Sequence, residues 1–187
     1  SGDVGSAWVA SEAVYDLKNV RVASGAGARR LGFSLSNGQV FSAHWRGEEA
    51  ERSFLGDGWG QRDHMNKDLG ATLRYVVRRR EGKEALHVFA TAFEAHAPGK
   101  EHVLGIERLA PACDPAAQAS AACVATREGL DYVISCVEAK PLLLATPHGK
   151  IEMQGRFARI EVRGGQPVRG ALIAGTHLRY NGKDVPR

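Results

Sequence analysis

The sequence contains little cysteine and few aromatic residues. Its 187 residues include 3 Cys, and aromatic side chains make up 7%. No CxxC pair of the kind that holds zinc is present, so we expect no metal site. Cys123 and Cys136 lie 13 residues apart on predicted neighbouring strands. A disulfide between them is conceivable, although buried free thiols, Cys113 included, are the favoured interpretation.

Long apolar runs and a strong excess of one charge are also missing. No window of 18 apolar residues occurs, which excludes a membrane-spanning helix, so no membrane partner is expected. The formal net charge is only +4. The sequence has no basic stripe with interleaved aromatic residues, so we expect no nucleic-acid binding. Arg78, Arg79 and Arg80 form the densest basic segment. We interpret it as a solvated strand end, the alternative being a contact for an acidic polymer.

The common catalytic signatures are absent. The sequence has no GxSxG, no HExxH, no P-loop and no GxGxxG before a helix, and no cofactor is expected. His96 and His102 flank a turn at 97–100, a spacing too loose to predict ligation. His87 lies in an apolar segment and is interpreted as a core histidine. No catalytic residue can be assigned from motifs.

Turn residues at intervals of roughly 8 to 12 positions predict an all-β protein. Asn37-Gly38 separates two apolar segments and predicts a two-residue hairpin. Further turns are predicted at 81–83, 128–129, 164–166 and 181–182. We therefore predict one antiparallel β-sandwich of two packed sheets spanning residues 1–187, with residues 1–10 expected to be flexible.

Hydrophobic alternation assigns faces to several strands. In 71–80 and 130–136 apolar side chains alternate with polar ones, which predicts one core face and one solvent face in each. The segment 85–93 is apolar on both faces and predicts a central strand. Segments 47–55 and 111–122 do not fit strands. The first could form a turn or two of helix or an acidic loop, and the second a short helix or an irregular connection.

His44, Trp45 and Arg46 end a predicted hairpin strand. By alternation, Trp45 shares a face with Phe41, while His44 and Arg46 share the other. We expect Trp45 in the core, with His44 and Arg46 at an exposed edge.

The densest polar and aromatic segment is GDGWGQRDHMNKD at 56–68. Three glycines around Trp59 indicate a loop with an unusual backbone. In the functional interpretation Trp59 stacks on a sugar ring, Arg62 binds an acid group, His64 supplies a further contact and Asn66 donates a hydrogen bond to a carboxylate. In the structural alternative the loop is a tight connection and Trp59 plugs the edge of the sandwich.

Four stretches carry a family resemblance. The runs GDGWGQRD at 56–63 and GATLRYVVRR at 70–79, with GRFA at 155–158 and GTHLRY at 175–180, resemble the C-terminal β-sandwich region of heparinase II/III-like polysaccharide lyases. The resemblance extends over residues 31–185. It implies an all-β region that belongs to a longer enzyme.

The resemblance implies a function for the longer enzyme. Members of this family join an N-terminal helical toroid to a sheet-rich region and cleave uronate-containing polysaccharides such as heparin, heparan sulfate or alginate by β-elimination. The toroid is not in this sequence, which lacks long amphipathic helices, so we expect a C-terminal fragment that is inactive alone. It would brace the toroid and contact acidic polysaccharide, in the periplasm or outside the cell.

Two other functions stay open. A free-standing carbohydrate-binding module would bind sugar without a partner domain and expose Trp59 or Trp45. A purely structural domain would have no sugar affinity and would carry a large apolar patch at its docking surface.

Overall fold

The protein is all-β, as predicted. A computed structural model describes residues 8–11, 17–60, 63–65, 67, 70, 72–82 and 87–187, and within them it has seventeen strands and one short 3-10 helix, Pro115–Ala117. The strands are β1 Val9–Ala10, β2 Lys18–Ser24, β3 Gly27–Ser34, β4 Val40–Gly47, β5 Glu51–Trp59, β6 Thr72–Arg80, β7 Ala92–His96, β8 Val103–Leu109, β9 Ala112–Cys113, β10 Ser120–Thr126, β11 Leu130–Ser135, β12 Pro141–Thr146, β13 Gly149–Gln154, β14 Phe157–Arg163, β15 Gln166–Ile173, β16 His177–Tyr180 and β17 Lys183–Asp184. No helix in the described residues is long and apolar enough to cross a membrane.

The chain divides into two compact units. The first comprises Ser1–Gly2, Leu31–Arg46 and Val88–Arg187, and the second comprises Asp3–Arg30 and Gly47–His87. The single domain expected from the sequence stays a prediction. Of the terminal residues 1–10, residues 1–7 lie outside the described part, and Val9–Ala10 forms β1.

The first unit contains a β-sandwich. One antiparallel sheet has the strand order β15-β14-β11-β10-β8 and the other has the order β17-β16-β13-β12-β9. Alternate residues of both sheets enter a shared core, because successive strand side chains point to opposite faces. The largest wholly buried core side chains are Tyr132, Ile134, Leu144, Ile151, Met153, Ile160 and Tyr180. The apolar face predicted for 130–136 is thereby confirmed.

A hairpin at Asn37-Gly38 is confirmed, but its loop contains the three residues 36–38 and not the two predicted. The Leu35 amide donates to the Gln39 carbonyl at 2.8 Å, and Gly38 has a φ of 81°. This hairpin joins β3 and β4 of a three-stranded sheet with the order β3-β4-β7. Trp45 is only 1% exposed, as expected. The expectation for His44 is wrong, because its side chain is buried against Glu94 of β7.

Three segment predictions are corrected. Residues 87–91 form no strand, and β7 lies at a sheet edge, so the central strand predicted over 85–93 is wrong; residues 83–86 lie outside the described part. The helix or acidic loop predicted over 47–55 is wrong for 51–55, which belong to β5, whereas residues 48–50 do form an acidic turn between β4 and β5. Segment 111–122 contains β9, the 3-10 helix and the start of β10, so the short helix is right but strands flank it.

The second unit contains a four-stranded antiparallel sheet with the order β1-β2-β5-β6. Leu17, Val20 and Phe54 form a buried cluster in this unit. In the register of β5 and β6, Glu51 faces Arg80 and Trp59 faces Thr72. Phe54 therefore faces the buried cluster, whereas Glu51, Asp57 and Trp59 lie on the opposite face of β5.

The arginine run is not a uniformly solvated strand end. The side chains of Arg78 and Arg80 are 11% and 8% exposed, whereas that of Arg79 is 49% exposed. Arg78 Nε lies 2.7 Å from Glu51 Oε1, and Arg80 Nη2 lies 3.2 Å from Glu51 Oε2. The buried Glu51 carboxylate pairs with both guanidinium groups, and Glu48 Oε1 lies 2.9 Å from Arg80 Nη2 as a second partner. The sequence-based prediction missed this burial.

The three thiols lie in the first unit. Cys113, Cys123 and Cys136 are all free. Burial is the main cause that raises the pKa of both the Cys123 and the Cys136 thiol. Neither thiol has the lowered pKa that marks a reactive cysteine.

Candidate functional site

Trp59 is the last residue of β5, and it is 64% exposed. The glycine-rich run up to Trp59 is therefore strand, and the loop predicted from residue 56 is wrong for residues 56–59. A Cβ placed on Gly58 would lie 2.7 Å from the Tyr75 ring and 2.8 Å from Leu17. Glycine is needed there because two large side chains lie directly on the backbone. The structural alternative, in which Trp59 plugs the sandwich edge, does not fit this exposure.

A polar group lies on the same face of the sheet as Trp59. Asp57 is two residues before Trp59, and Arg74 faces it on β6. Arg74 Nε lies 2.7 Å from Asp57 Oδ1, and Asn19 Nδ2 donates to Asp57 Oδ2 at 3.0 Å. We call Trp59, Asp57, Arg74 and Asn19 the Trp59 face.

A backbone irregularity places Asn19 in this group. The β2–β5 register shifts between Lys18 and Arg21, and Asn19 has a φ of 50°. Asparagine tolerates this left-handed conformation better than most residues. The resulting bulge brings the Asn19 amide to the Asp57 carboxylate, 38 positions away in the chain.

The end of β5 is held from the neighbouring strand. The Tyr75 hydroxyl donates to the Trp59 carbonyl oxygen at 2.7 Å. The Arg74 side chain is 42% exposed, and its only ion pair among the described residues is through Nε. Its two terminal amino groups can therefore donate to a ligand beside Trp59.

The predicted site residues are only partly placed. His64 is exposed in a turn at 63–65, in which Asp63 Oδ1 accepts from the backbone amides of Met65 and Lys67 at 2.8 and 2.9 Å. Arg62 and Asn66 lie outside the described residues. The roles of all four predicted residues stay predictions.

Three residues of the Trp59 face were not singled out from the sequence as ligand contacts. Asp57 and Arg74 lie in the segments 56–68 and 71–80, which the sequence analysis singled out. Their pairing, however, depends on the register of β5 against β6. Asn19 carried no signal, because its contact depends on the bulge in β2. Hairpin register is the one sequence-level signal that would have joined Asp57 to Arg74.

A second polar cluster is buried in the first unit. The Ser42 hydroxyl lies 2.9 Å from His96 Nε2, and His96 Nδ1 lies 2.8 Å from the Ala97 carbonyl oxygen. Because a carbonyl only accepts, Nδ1 carries the proton and Nε2 accepts from Ser42. Ser42 is wholly buried, so this pair stabilises the β4–β7 sheet and does not present a nucleophile to a substrate.

Glu94 connects three parts of the first unit. Its Oε1 lies 2.9 Å from His44 Nε2, and its Oε2 accepts from the amides of His102 and Val103 at 2.8 and 3.2 Å. Burial alone would raise the pKa of Glu94, but the hydrogen bonds from His102, Val103 and His44 together hold it below its ordinary value. This carboxylate is structural, since each oxygen already has a protein partner.

The described residues contain no group of three or more His, Cys, Asp or Glu side chains arranged to hold a metal ion. Comparison with known proteins found no matching family model, no similar curated protein and no similar solved structure. The chemistry of the Trp59 face is therefore the main structural support for a functional proposal.

Proposed function

We propose that this chain binds acidic polysaccharide through the Trp59 face, as the accessory β-sandwich region of a heparinase II/III-type lyase. The observation that carries the proposal is an indole 64% exposed beside a partly exposed Arg74–Asp57 pair. The lyase context rests on the sequence resemblance alone.

Each member of the face has a role that fits an acidic sugar. The exposed indole offers a flat apolar surface to the C–H face of a pyranose ring. The terminal amino groups of Arg74 match the two oxygens of a uronate carboxylate. Asp57 and Asn19 can accept from and donate to sugar hydroxyls.

The proposal assigns no catalytic step to this chain. β-Elimination needs a group that neutralises the uronate carboxylate, a base for the C5 proton and an acid for the departing O4. These belong to the toroid side of the enzyme in the resembled family. This chain would hold the polymer and brace the toroid.

The test is calorimetric titration of the chain with heparin, alginate and neutral dextran. We expect saturable heat with at least one acidic polymer, weaker at higher salt because the charges are screened, and none with dextran. Arg74→Gln should weaken binding about tenfold, which corresponds to one charge-assisted hydrogen bond. Arg79→Gln is the matched control, since Arg79 is similarly exposed on the opposite face of β6.

Three outcomes would count against the proposal. No heat with either acidic polymer would leave a purely structural domain. Equal binding of dextran would favour a general carbohydrate-binding module. Release of unsaturated uronate product by the chain alone, seen as rising ultraviolet absorbance, would contradict the non-catalytic assignment.

A further inference from the structure

A group of largely buried charged side chains lies at the start of β5, in the second unit. Its members are Arg29, Arg78, Arg80 and Glu51, which we call the arginine cluster. Trp59 ends the same strand, so about 26 Å of extended chain separates Glu51 from Trp59. The cluster is therefore distinct from the Trp59 face.

Arg29 reaches this cluster from β3. Its Nη2 donates to the Gly25 carbonyl oxygen at 2.6 Å, and the Gly25 amide in turn donates to the Glu51 carbonyl oxygen at 2.9 Å. A Cβ placed on Gly47 would lie 2.9 Å from Arg29 Nη2 and 2.7 Å from the Gly25 oxygen. Gly47 thus leaves the room in which the guanidinium group lies against the backbone.

Two other members of the cluster act electrostatically on Arg29. Burial is the main cause that lowers the pKa of Arg29, the charge of Glu51 raises it, and the charge of Arg78 lowers it further. Attraction to one carboxylate and repulsion by one guanidinium group therefore act together. Both effects agree with the position that the backbone contacts give to Arg29.

The charge of Arg29 has no carboxylate partner. Arg78 takes both oxygens of Glu51, with Nε 2.7 Å from Oε1 and Nη2 3.1 Å from Oε2. Arg80 Nη2 lies 3.2 Å from Glu51 Oε2 and 2.9 Å from Glu48 Oε1. Arg29 is only 6% exposed, and no carboxylate of the described residues lies within ion-pair distance of it.

Arg29 also has an unused hydrogen-bond donor. Its Nε is buried and donates to no described residue. An unpaired charge in a dry environment is costly, and a buried donor without an acceptor adds to that cost. In proteins a water molecule or an ion usually completes such a site. An anion meets both needs, because it accepts the hydrogen bond and neutralises the charge, whereas water only accepts the hydrogen bond.

The charge of the site favours a monovalent ion. One unpaired guanidinium group is neutralised by one negative charge. A divalent ion such as sulfate would leave a surplus negative charge near Glu51, and its removal from water costs more because the desolvation energy rises with the square of the charge.

We infer that Arg29, with Nε as the donor, forms a binding site for one chloride-sized monovalent anion. The bound ion stabilises the start of β5, and the site does not depend on polysaccharide binding at the Trp59 face.

Thermal denaturation in chloride and in gluconate, at one ionic strength, tests the inference. Gluconate carries the same charge but is too large for a buried site that takes a single atom. We expect a rise in chloride from about 10 to about 300 mM to increase the Tm by about 3 °C along a saturating curve, because an ion that binds only the folded chain stabilises it.

Arg29→Met removes the charge and keeps an unbranched side chain of similar reach. This variant should lose the chloride response. Arg169→Met is the matched control, since Arg169 is exposed on β15 of the first unit, and it should keep the chloride response of the wild type.

Anomalous diffraction from wild-type crystals soaked in bromide gives a second measurement, which is decisive even if Arg29→Met fails to fold. Bromide should take the place of chloride and give an anomalous peak in contact with Arg29 Nε. Absence of that peak would overturn the inference. So would a Tm that chloride raises no more than gluconate does, or a chloride response that is equally large in Arg29→Met and in the wild type.

Discussion

At the scale of single residues, Glu51 is the buried carboxylate that pairs with two arginines on one face of the second unit. Its side chain is wholly buried, and it pairs with Arg78 and Arg80. A buried ion pair is not in itself a gain in stability, but removal of one partner leaves charges without compensation in a dry environment. Removal of the Glu51 carboxylate is therefore expected to be strongly destabilising.

Glu51→Gln should lower the free energy of unfolding by about 3 kcal/mol, because Arg78 and Arg80 lose their common carboxylate. Glu48→Gln is the control, since Glu48 is 38% exposed and its pair with Arg80 is worth less than about 1 kcal/mol. Urea denaturation of both variants measures the difference. Equal losses would contradict the central role of Glu51.

Glu94 predicts how stability depends on pH. Its pKa is lowered in the folded protein from an ordinary value of 4.5. The unfolded chain therefore binds more protons in this range, so stability is full above pH 4.5 and falls as the pH drops through the folded pKa.

Glu94→Gln should be less stable than the wild type at neutral pH and should lose less stability on acidification, because its side chain cannot take up a proton. Asp131, whose pKa is also lowered, keeps part of the acid dependence in the variant. Urea denaturation at a series of pH values from 6 down to 3 measures both profiles. Parallel profiles would show that Glu94 does not contribute to the acid response.

At the scale of elements, the hairpin turns differ in what their glycines do. Gly165, in the β14–β15 turn, has a φ of 76° and open space around an added Cβ. Gly129, in the β10–β11 turn, has a φ of 152°, and an added Cβ would overlap the Val162 carbonyl oxygen of β14. Gly165 needs only backbone freedom, whereas Gly129 also needs the absence of a side chain.

Gly165→Ala should therefore cost about 1 kcal/mol, from the left-handed backbone alone. Gly129→Ala should cost about 3 kcal/mol or more, because the β11–β14 pairing must shift to admit the methyl group. Thermal denaturation of the two variants compares them directly. Equal losses would indicate that β14 moves aside without cost.

Elements were predictable from the sequence where neighbouring residues favour the same local structure. The turns at Asn37-Gly38, Gly164-Gly165 and Asn181-Gly182 and the apolar face of β11 follow from short-range chemistry. Strand β5 was missed because its first residue, Glu51, is charged, and a charged residue there favours a loop. Only the folded structure shows that Arg78 and Arg80 pair with the Glu51 carboxylate. The central strand expected over 85–93 was wrong because its apolar side chains, Phe89 and Phe93 among them, line a groove and not a sheet interior.

At the scale of the whole molecule, the sandwich core of the first unit lies between its two five-stranded sheets. Ile134 of β11 and Ile160 of β14 are wholly buried in that core, and both strands have a neighbour on each side. β15 lies at the edge of the same sheet, and Val168 in it is 48% exposed.

Native-state hydrogen exchange should therefore be slowest at the amides of β11 and β14, which open only with the core, and faster on average in β15. Exchange followed by nuclear magnetic resonance resolves the individual amides. Protection in β15 equal to that in β11 would contradict this ranking and indicate that the edge of the sheet is covered.

The candidate site, too, was predicted in part from the sequence and decided in part by the tertiary structure. Trp59 was identified from the sequence because an aromatic residue among glycines and polar residues is conspicuous, and its exposure fits the functional interpretation. Its neighbours Arg74 and Asn19 became visible only through strand register and the β2 bulge, since both contacts join residues far apart in the chain.

By itself, the sequence determined the all-β class, most turns and the apolar face of β11, because each depends on a few neighbouring residues. The tertiary structure alone decided that Glu51 is buried between arginines, that His44 binds Glu94, and that Arg74 pairs with Asp57. The physical reason is that burial and charge compensation depend on side chains from distant strands, which the sequence does not place next to each other.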